Sequence, residues 1–179
     1  MDSDTHKSLK VPKIFTLELR QDDPTKCTSA KMRKFGFASP IRKERIPRES
    51  VVLNPAGQSY VLPGDRELAQ FHGLVVIDCS WNLANDVFKT DFKGIQRRLP
   101  ALLAGNPTNY SKLGSLSSIE AVSATLYIMN FKDLSKKLLS LYKWGSTFLS
   151  LNHDALEEYS VAQSATHMSD VEKSFFPVY

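Results

Sequence analysis

The sequence predicts an α/β protein in which a mostly parallel sheet comes first and helices follow. Residues 74–77 are four consecutive apolar residues, three of them β-branched, which is typical of a strand buried on both faces of a sheet. Strand-like and helix-like segments are interleaved before this strand, as in α/β folds. From Ser117 onward the apolar residues recur at helical spacing, so the helices form the later part of the chain.

The first predicted elements are a strand, a helix and a pair of short strands. Alternating apolar residues predict a strand over 14–19. A helix is predicted over 28–35, with Thr28 or Ser29 as its N-cap. Val51–Leu53 is predicted as a strand because a turn sequence follows it, and residues 60–62 are its expected partner.

The middle of the chain surrounds the buried strand. A helix is predicted from Pro63 to Phe71, and Gly73 ends it before the strand begins. Residues 82–93 are predicted to be irregular chain. A helical turn is predicted over 94–98, and a further inner strand over 101–104.

The helical region begins with a clear N-terminal signal. Ser117 and Glu120 match a capping box, which starts a helix that runs to about Met129. A second helix is predicted from Asp133 to a break at Gly145, a last one over 152–159, and a mobile tail after it. The predicted organisation is a disordered tail over 1–12, an α/β lobe over 13–98, a helical lobe over 99–160 and a flexible tail over 161–179.

Composition and charge restrict the class of protein. The 179 residues are 42% hydrophobic and 23% charged, with a net charge of +4, as in ordinary globular proteins. Basic residues concentrate within 26–48, 89–98 and 132–143, which suits a polyanion such as RNA, although a solvated surface explains them equally well. No apolar run approaches the about 20 residues of a membrane span, and the start lacks a signal-peptide core, so an intracellular protein is expected.

Motifs of the common enzyme classes are absent from the sequence, which has no Gly-rich phosphate loop, no GxSxG and no HExxH. Cys27 and Cys79 lie far apart and the four histidines are scattered, so neither a metal site nor a disulfide is predicted. Each cysteine is interpreted as a buried free thiol. Polar residues do follow the buried strand directly, as Asp78-Cys79-Ser80-Trp81. Ligands bind at the carboxyl ends of parallel strands in open α/β sheets, so this edge is the expected site.

Four motifs, taken together and in order, resemble those of a known family. They are DCSW at 78–81, NPTNY at 106–110, LSSIEA at 116–121 and KWGSTFLSLN at 143–152. The combination is similar to the ribosome-biogenesis aminocarboxypropyltransferases, over roughly residues 14–159. The resemblance implies a SPOUT-like fold with a trefoil knot that holds S-adenosylmethionine. Threaded chains are rare, so the knot depends on the resemblance alone.

The resemblance implies that S-adenosylmethionine acts as a group donor. Its 3-amino-3-carboxypropyl arm would pass to N3 of a hypermodified pseudouridine in 18S rRNA, releasing methylthioadenosine during ribosome maturation. The main task of such a protein is placement of the reacting atoms. Two alternatives stay open, namely a SPOUT-like RNA methyltransferase and a catalytically silent RNA-binding assembly factor.

The resemblance also assigns residues to the cofactor site. The matching positions are Thr28, Ile77, Trp81, Ala84, Leu99, Gly114 and Ser118. Trp81 and Ala84 would enclose the sulfonium methyl, and Ser118 at a helix start would contact the methionine carboxylate. Gly114 departs from the family, which tends to have an aromatic residue there. Asp78 is the candidate catalytic base, with capping of the following turn as the alternative.

The expected partners are RNA and a ribosomal particle. The basic residues nearest the site segments are predicted phosphate contacts: Lys26, Lys31, Arg97 and Arg98. Asp65 and Arg66 are predicted to form a structural ion pair. The expected assembly is a monomer that acts on the pre-40S particle, located in the cytoplasm, with the nucleus as a second location.

Overall fold

Short parallel strands form one sheet at the centre of the structure, a computed structural model that describes residues 10–19, 27–78 and 84–177. Within these residues the strands are β1 (Ile14–Glu18), β2 (Ala38–Pro40), β3 (Val51–Leu53), β4 (Leu74–Asp78) and β5 (Ile95–Arg97). Their spatial order is β2-β1-β4-β3-β5, and every pairing is parallel. The predicted parallel sheet is therefore confirmed.

Helices connect the strands and then follow them. The described helices are α1 (Thr28–Lys34), α2 (Arg66–His72), α3 (Ala84–Phe88), α4 (Ser118–Ile128), α5 (Lys132–Leu139), α6 (Gly145–Tyr159) and α7 (Ala165–Phe175). The first three lie between strands and the last four are consecutive, which confirms the predicted order of sheet and helices. None of the described helices is long and apolar enough to cross a membrane.

Strand β4 occupies the middle of the sheet, between β1 and β3. Its first four residues are buried because both faces of the sheet are covered. Leu74 and Val76 belong to a large core that also includes α4 to α7, while Val75 and Ile77 pack on the opposite face. The larger core joins residues from both predicted lobes, and the lobe boundary after residue 98 stays a prediction.

The starts of α4 and α1 show how hydrogen bonds from nearby side chains determine where a helix begins. The capping box of α4 is confirmed, since the Ser117 hydroxyl accepts from the Glu120 amide and the Glu120 carboxylate accepts from the Ser117 amide. The N-cap of α1 differs from the prediction. Cys27 fills it, with its Sγ accepting from the Ala30 amide at 3.4 Å.

Several predictions between residues 60 and 104 were wrong. Residues 94–98 contain strand β5 instead of a helical turn, because this segment adds to β3 in parallel register. Residues 101–104 form no strand and make only an isolated antiparallel bridge between Leu103 and Leu113. The expected partner strand at 60–62 is likewise one bridge, from Tyr60 to Arg98. Such pairings depend on distant segments that local patterns do not identify.

The C-terminal part is more helical than predicted. Gly145 begins α6 instead of breaking a helix, and the position requires glycine because a Cβ there would lie 2.0 Å from the Leu139 carbonyl oxygen. The predicted mobile tail contains α7, whose Met168 and Val171 pack into the large core. Their spacing is helical, but the segment is polar on average and resembles a tail in isolation.

Candidate functional site

A cavity of about 870 Å³ lies at the carboxyl edge of the sheet. The ends of β3, β4 and β5 line it, and the N-terminus of α4 contributes Ser117 and Ser118. Parallel strands place their carboxyl ends together, so the cavity lies where the sequence predicted a ligand. Its volume falls within the range of about 300–1,000 Å³ that is usual for small-molecule sites.

Most of the predicted cofactor residues meet at this cavity. Those that line it are Thr28, Ile77, Leu99, Gly114 and Ser118, together with Asp78. Trp81 lies outside the described residues, and Ala84 is described only as the first backbone residue of α3. Assignment of all seven as cofactor contacts stays a prediction.

The Asp78 carboxylate joins three elements at the base of the cavity. Its Oδ1 accepts a hydrogen bond from Ser118 Oγ at 2.5 Å. Its Oδ2 accepts from Ser29 Oγ at 2.6 Å and from Cys27 Sγ at 2.8 Å. We call Cys27, Ser29, Asp78 and Ser118 the Asp78 cluster. The end of β4 is thereby tied to the first residues of α1 and α4.

The Asp78 cluster contains an uncompensated negative charge. All three donors to Asp78 are neutral, and Asp78 forms no ion pair with any residue in the described ranges. Glu18, opposite Asp78 in the β1–β4 register, provides a contrast because its carboxylate is 2.7 Å from the Arg33 guanidinium. A cationic group on a ligand would therefore be attracted toward Asp78.

Cys27 is a half-buried free thiol that acts as a donor. Burial raises the pKa of the Cys27 thiol, and the adjacent Asp78 carboxylate raises this pKa further. The sequence missed both Cys27 and Ser29 as site residues. The signal was present, since both lie in the segment that contains Thr28.

The raised pKa of Cys27 predicts slow alkylation. The thiolate is the nucleophile, so reaction with iodoacetamide should reach half its limiting rate at a higher pH than for a cysteine in a short peptide. Asp78→Asn should lower that midpoint, because it removes one of the two causes of the raised pKa. Peptide-resolved mass spectrometry separates Cys27 from Cys79. A midpoint at or below that of the peptide would contradict the structure.

Glu18, Cys27 and Asp78 present metal-ligand atoms within 4.8 Å of one another. The hydrogen bond from Cys27 to Asp78, and the Ser29 hydroxyl within hydrogen-bond distance of both carboxylates, already account for this closeness. A metal would also require the Cys27 thiolate, which the raised pKa of Cys27 disfavours. The absence of a metal stays a prediction.

Residues 99–109 form one wall of the cavity, and buried polar side chains bind the backbone of this segment. Glu120 is fully buried and accepts from the amides of Gly105 and Asn106, from Asn106 Nδ2, and from both donors of Ser117. Asn152 donates to the Leu103 carbonyl and accepts from the Leu103 amide, each at 2.8 Å. These contacts hold irregular chain in one conformation.

Two further wall residues were missed by the sequence. Glu172 on α7 lines the cavity and accepts from the Ala101 amide at 2.7 Å and from the Tyr60 hydroxyl. No sequence signal indicated Glu172, because α7 was predicted to be a tail. Trp144 was interpreted as core but also lines the cavity, beside Tyr142 at a ring-centroid distance of 4.8 Å.

Three of the four predicted phosphate contacts lie within the described residues, and each of the three has a partner within the chain. Arg97 binds both oxygens of the Asp65 carboxylate, so the predicted pairing of Asp65 with Arg66 was wrong. Arg98 lies 3.7 Å over the Tyr60 ring. Lys31 donates to the Leu141 carbonyl at 2.5 Å.

These intramolecular contacts favour structural roles, although Arg97 and Arg98 also line the cavity. Arg66 instead donates to the Met129 and Asn130 carbonyls. Lys26 lies outside the described residues. Contact of Lys26, Lys31, Arg97 and Arg98 with RNA phosphates stays a prediction.

Arg97→Ala should lower the free energy of unfolding by about 3 kcal/mol, because it leaves the Asp65 carboxylate buried without its cation. Asp65 is only 5% exposed, so water cannot replace the lost contacts. Urea unfolding of Arg97→Ala, Asp65→Ala and the double variant measures the coupling between the two side chains. Arg48→Ala, at an exposed site, is the control. A coupling near zero would contradict the structural pair.

Comparisons with known proteins agree on one family. A family profile described as "Ribosome biogenesis protein, C-terminal" matches residues 51–176. A Vulcanisaeta distributa protein named 16S rRNA aminocarboxypropyltransferase is 46% identical over 153 residues, which are 84% of this chain and 83% of the relative. A Methanocaldococcus jannaschii protein of the same name is 40% identical over 169 residues, which are 93% of this chain and 98% of the relative.

A solved structure extends this likeness to three dimensions. The SAM-dependent rRNA:acp-transferase from Vulcanisaeta distributa aligns with a TM-score of 0.86 at 43% identity. The alignment covers 94% of this chain and 90% of that protein. The likeness therefore extends over nearly the whole chain.

Proposed function

Because this chain belongs to the family of ribosome biogenesis proteins whose relatives are named 16S rRNA aminocarboxypropyltransferases, we propose that it transfers the 3-amino-3-carboxypropyl group of S-adenosylmethionine to small-subunit rRNA. It is a transferase that depends on S-adenosylmethionine. The observation that carries the proposal is the likeness to a solved SAM-dependent transferase over nearly the whole chain.

The cavity residues fit S-adenosylmethionine. Leu53, Leu99 and Leu116 supply apolar surface for the adenine ring. Ser118 begins α4, and the N-terminus of a helix favours a carboxylate such as that of the methionine part. Asp78 supplies the opposite charge for the sulfonium and ammonium groups. The residues present therefore match the apolar, anionic and cationic parts of the ligand.

The chain's own contribution to the reaction is placement. When bound, S-adenosylmethionine would supply a sulfonium leaving group: the acceptor nitrogen would bond to the γ-carbon as the carbon–sulfur bond breaks, methylthioadenosine would depart, and the proton of the acceptor N–H would pass to solvent. Asp78 orients the hydroxyls of Ser29 and Ser118 and would attract the sulfonium and ammonium groups of the donor. A carboxylate offers about four lone-pair sites, and three donors already occupy three of these sites at Asp78, which leaves about one for a proton of the acceptor. This supports an electrostatic role for Asp78 over the predicted role as general base.

The finer parts of the proposal concern the acceptor and its setting. We propose N3 of a hypermodified pseudouridine as the acceptor, because the four motifs together resemble enzymes with that substrate. The predicted rRNA is 18S, whereas the relatives are named for 16S, so the acceptor is tested on both. The SPOUT-like knot, the monomeric state, action on the pre-40S particle and a cytoplasmic or nuclear location belong to the same proposal.

The test is a transfer assay with two labels. Purified protein is incubated with small-subunit RNA that lacks the modification and with S-adenosylmethionine labelled either in the carboxypropyl arm or in the methyl group. We expect arm label in the RNA and release of methylthioadenosine. Methyl label in the RNA with S-adenosylhomocysteine would establish the methyltransferase alternative. Failure to bind S-adenosylmethionine would favour the silent assembly factor.

A further inference from the structure

We propose that Tyr110 is a stacking platform for an unpaired RNA base next to the acceptor nucleotide, an inference that rests on the proposed rRNA substrate. Tyr110 lies in residues 106–114, which we call the rim loop. Tyr110 is 57% exposed as a residue. Asn109 and Leu113 of the same loop line the cavity, so Tyr110 belongs to a segment at the edge of the cavity.

The rim loop presents apolar surface from a rigid support. The Ser111 amide donates to the Ala104 carbonyl at 2.7 Å, and the Ala104 amide donates to the Lys112 carbonyl at 3.0 Å. The Asn109 amide donates to Asn106 Oδ1, and Asn106 is in turn bound by the buried Glu120 carboxylate. The backbone around Tyr110 is thus ordered before any partner binds, which reduces the entropy cost of binding.

The conformation of the loop next to Tyr110 is unusual. Ser111 has a φ of +60°, a left-handed conformation that costs a non-glycine residue free energy. Leu113, two residues further on, is 52% exposed. A strained turn that leaves a tyrosine and a leucine in solvent is not explained by packing within the described chain. Such features are typical of recognition surfaces.

The charge around the rim loop favours RNA as the partner. The rim loop, residues 106–114, contains no Asp or Glu, and Lys112 is its charged residue. Lys112 is exposed and lies two residues from Tyr110. An exposed aromatic ring beside an exposed cation matches the way proteins bind single-stranded RNA, with bases stacked on rings and phosphates near cations.

The experiment compares three variants in RNA binding. Tyr110→Ala removes the ring, Tyr110→Phe keeps the ring without its hydroxyl, and Phe71→Ala removes a 71% exposed ring on α2 that does not line the cavity. The probe is a fluorescein-labelled rRNA hairpin that carries the acceptor nucleotide. Versions with 2-aminopurine on either side of the acceptor report stacking through fluorescence quenching.

We expect Tyr110→Ala to weaken RNA binding about tenfold, since stacking on an aromatic side chain contributes about 1–3 kcal/mol per base. One 2-aminopurine probe should be quenched by the parent protein and by Tyr110→Phe, but not by Tyr110→Ala. Phe71→Ala should bind RNA like the parent protein. Calorimetric affinity for S-adenosylmethionine should be the same in all four proteins, which shows that they are folded.

Equal RNA affinity and equal quenching for Tyr110→Ala and the parent protein would overturn the inference. Loss of quenching with Tyr110→Phe would also overturn it, because the hydroxyl and not the ring would then be responsible. These results leave the proposed function intact. That function fails separately if the parent protein places no arm label in any small-subunit RNA.

Discussion

Asp78→Asn is expected to weaken S-adenosylmethionine binding by roughly 10- to 100-fold, because a hydrogen bond or contact involving a charged group contributes about 1.5–3 kcal/mol. The substitution preserves size and shape but removes the uncompensated negative charge at the end of β4. Isothermal calorimetry of parent and variant proteins at matched ionic strength measures the change. At saturating S-adenosylmethionine, the rate of arm transfer should fall much less if Asp78 acts mainly by attracting the donor and not as a general base.

Ligands that lack one or both cationic groups of S-adenosylmethionine identify which of these groups Asp78 attracts. Methylthioadenosine lacks both the sulfonium and the ammonium group, so Asp78→Asn should leave its affinity unchanged. S-adenosylhomocysteine keeps the ammonium group only, so a loss of its affinity would assign Asp78 to that group. The matched control is Glu18→Gln, which removes a carboxylate already paired with Arg33 and does not line the cavity. Equal loss for S-adenosylmethionine and methylthioadenosine would show distortion of the pocket.

Glu120→Ala is expected to lower the free energy of unfolding by about 4 kcal/mol or more. Each buried donor left without an acceptor costs about 1–3 kcal/mol, and Glu120 serves five donors. Losses of this size are exceptional for single substitutions and approach the whole stability of many domains, about 5–15 kcal/mol. Urea unfolding at several temperatures measures the change.

Two control variants separate the buried network from a simple loss of charge. Glu158→Ala removes an exposed carboxylate and should change stability by less than about 0.5 kcal/mol. Glu120→Gln keeps one acceptor but turns an amide toward donors, so its stability should lie between Glu120→Ala and the parent protein. A loss below about 1 kcal/mol for Glu120→Ala would show that water replaces the carboxylate.

These two predictions concern Asp78, a residue of the cavity, and Glu120, a buried residue behind it. The sequence indicated only part of the role of each. Asp78 was identified because it follows an apolar strand, and Glu120 because it lies three residues after Ser117. Both signals are short-range. The sequence did not indicate that Glu120 also holds Gly105 and Asn106, or that Asp78 accepts from Cys27 and Ser29.

The sequence alone therefore identified strand β4, the parallel sheet followed by helices, the start of α4, the edge that holds the site and the family. Each depends on neighbouring residues or on a motif in order. Folding of the whole chain was needed to form β5 beside β3, to pack α7 on the core and to pair Arg97 with Asp65. Their stabilising contacts come from segments tens of residues away, and a local pattern contains no information about which distant segment will be the neighbour.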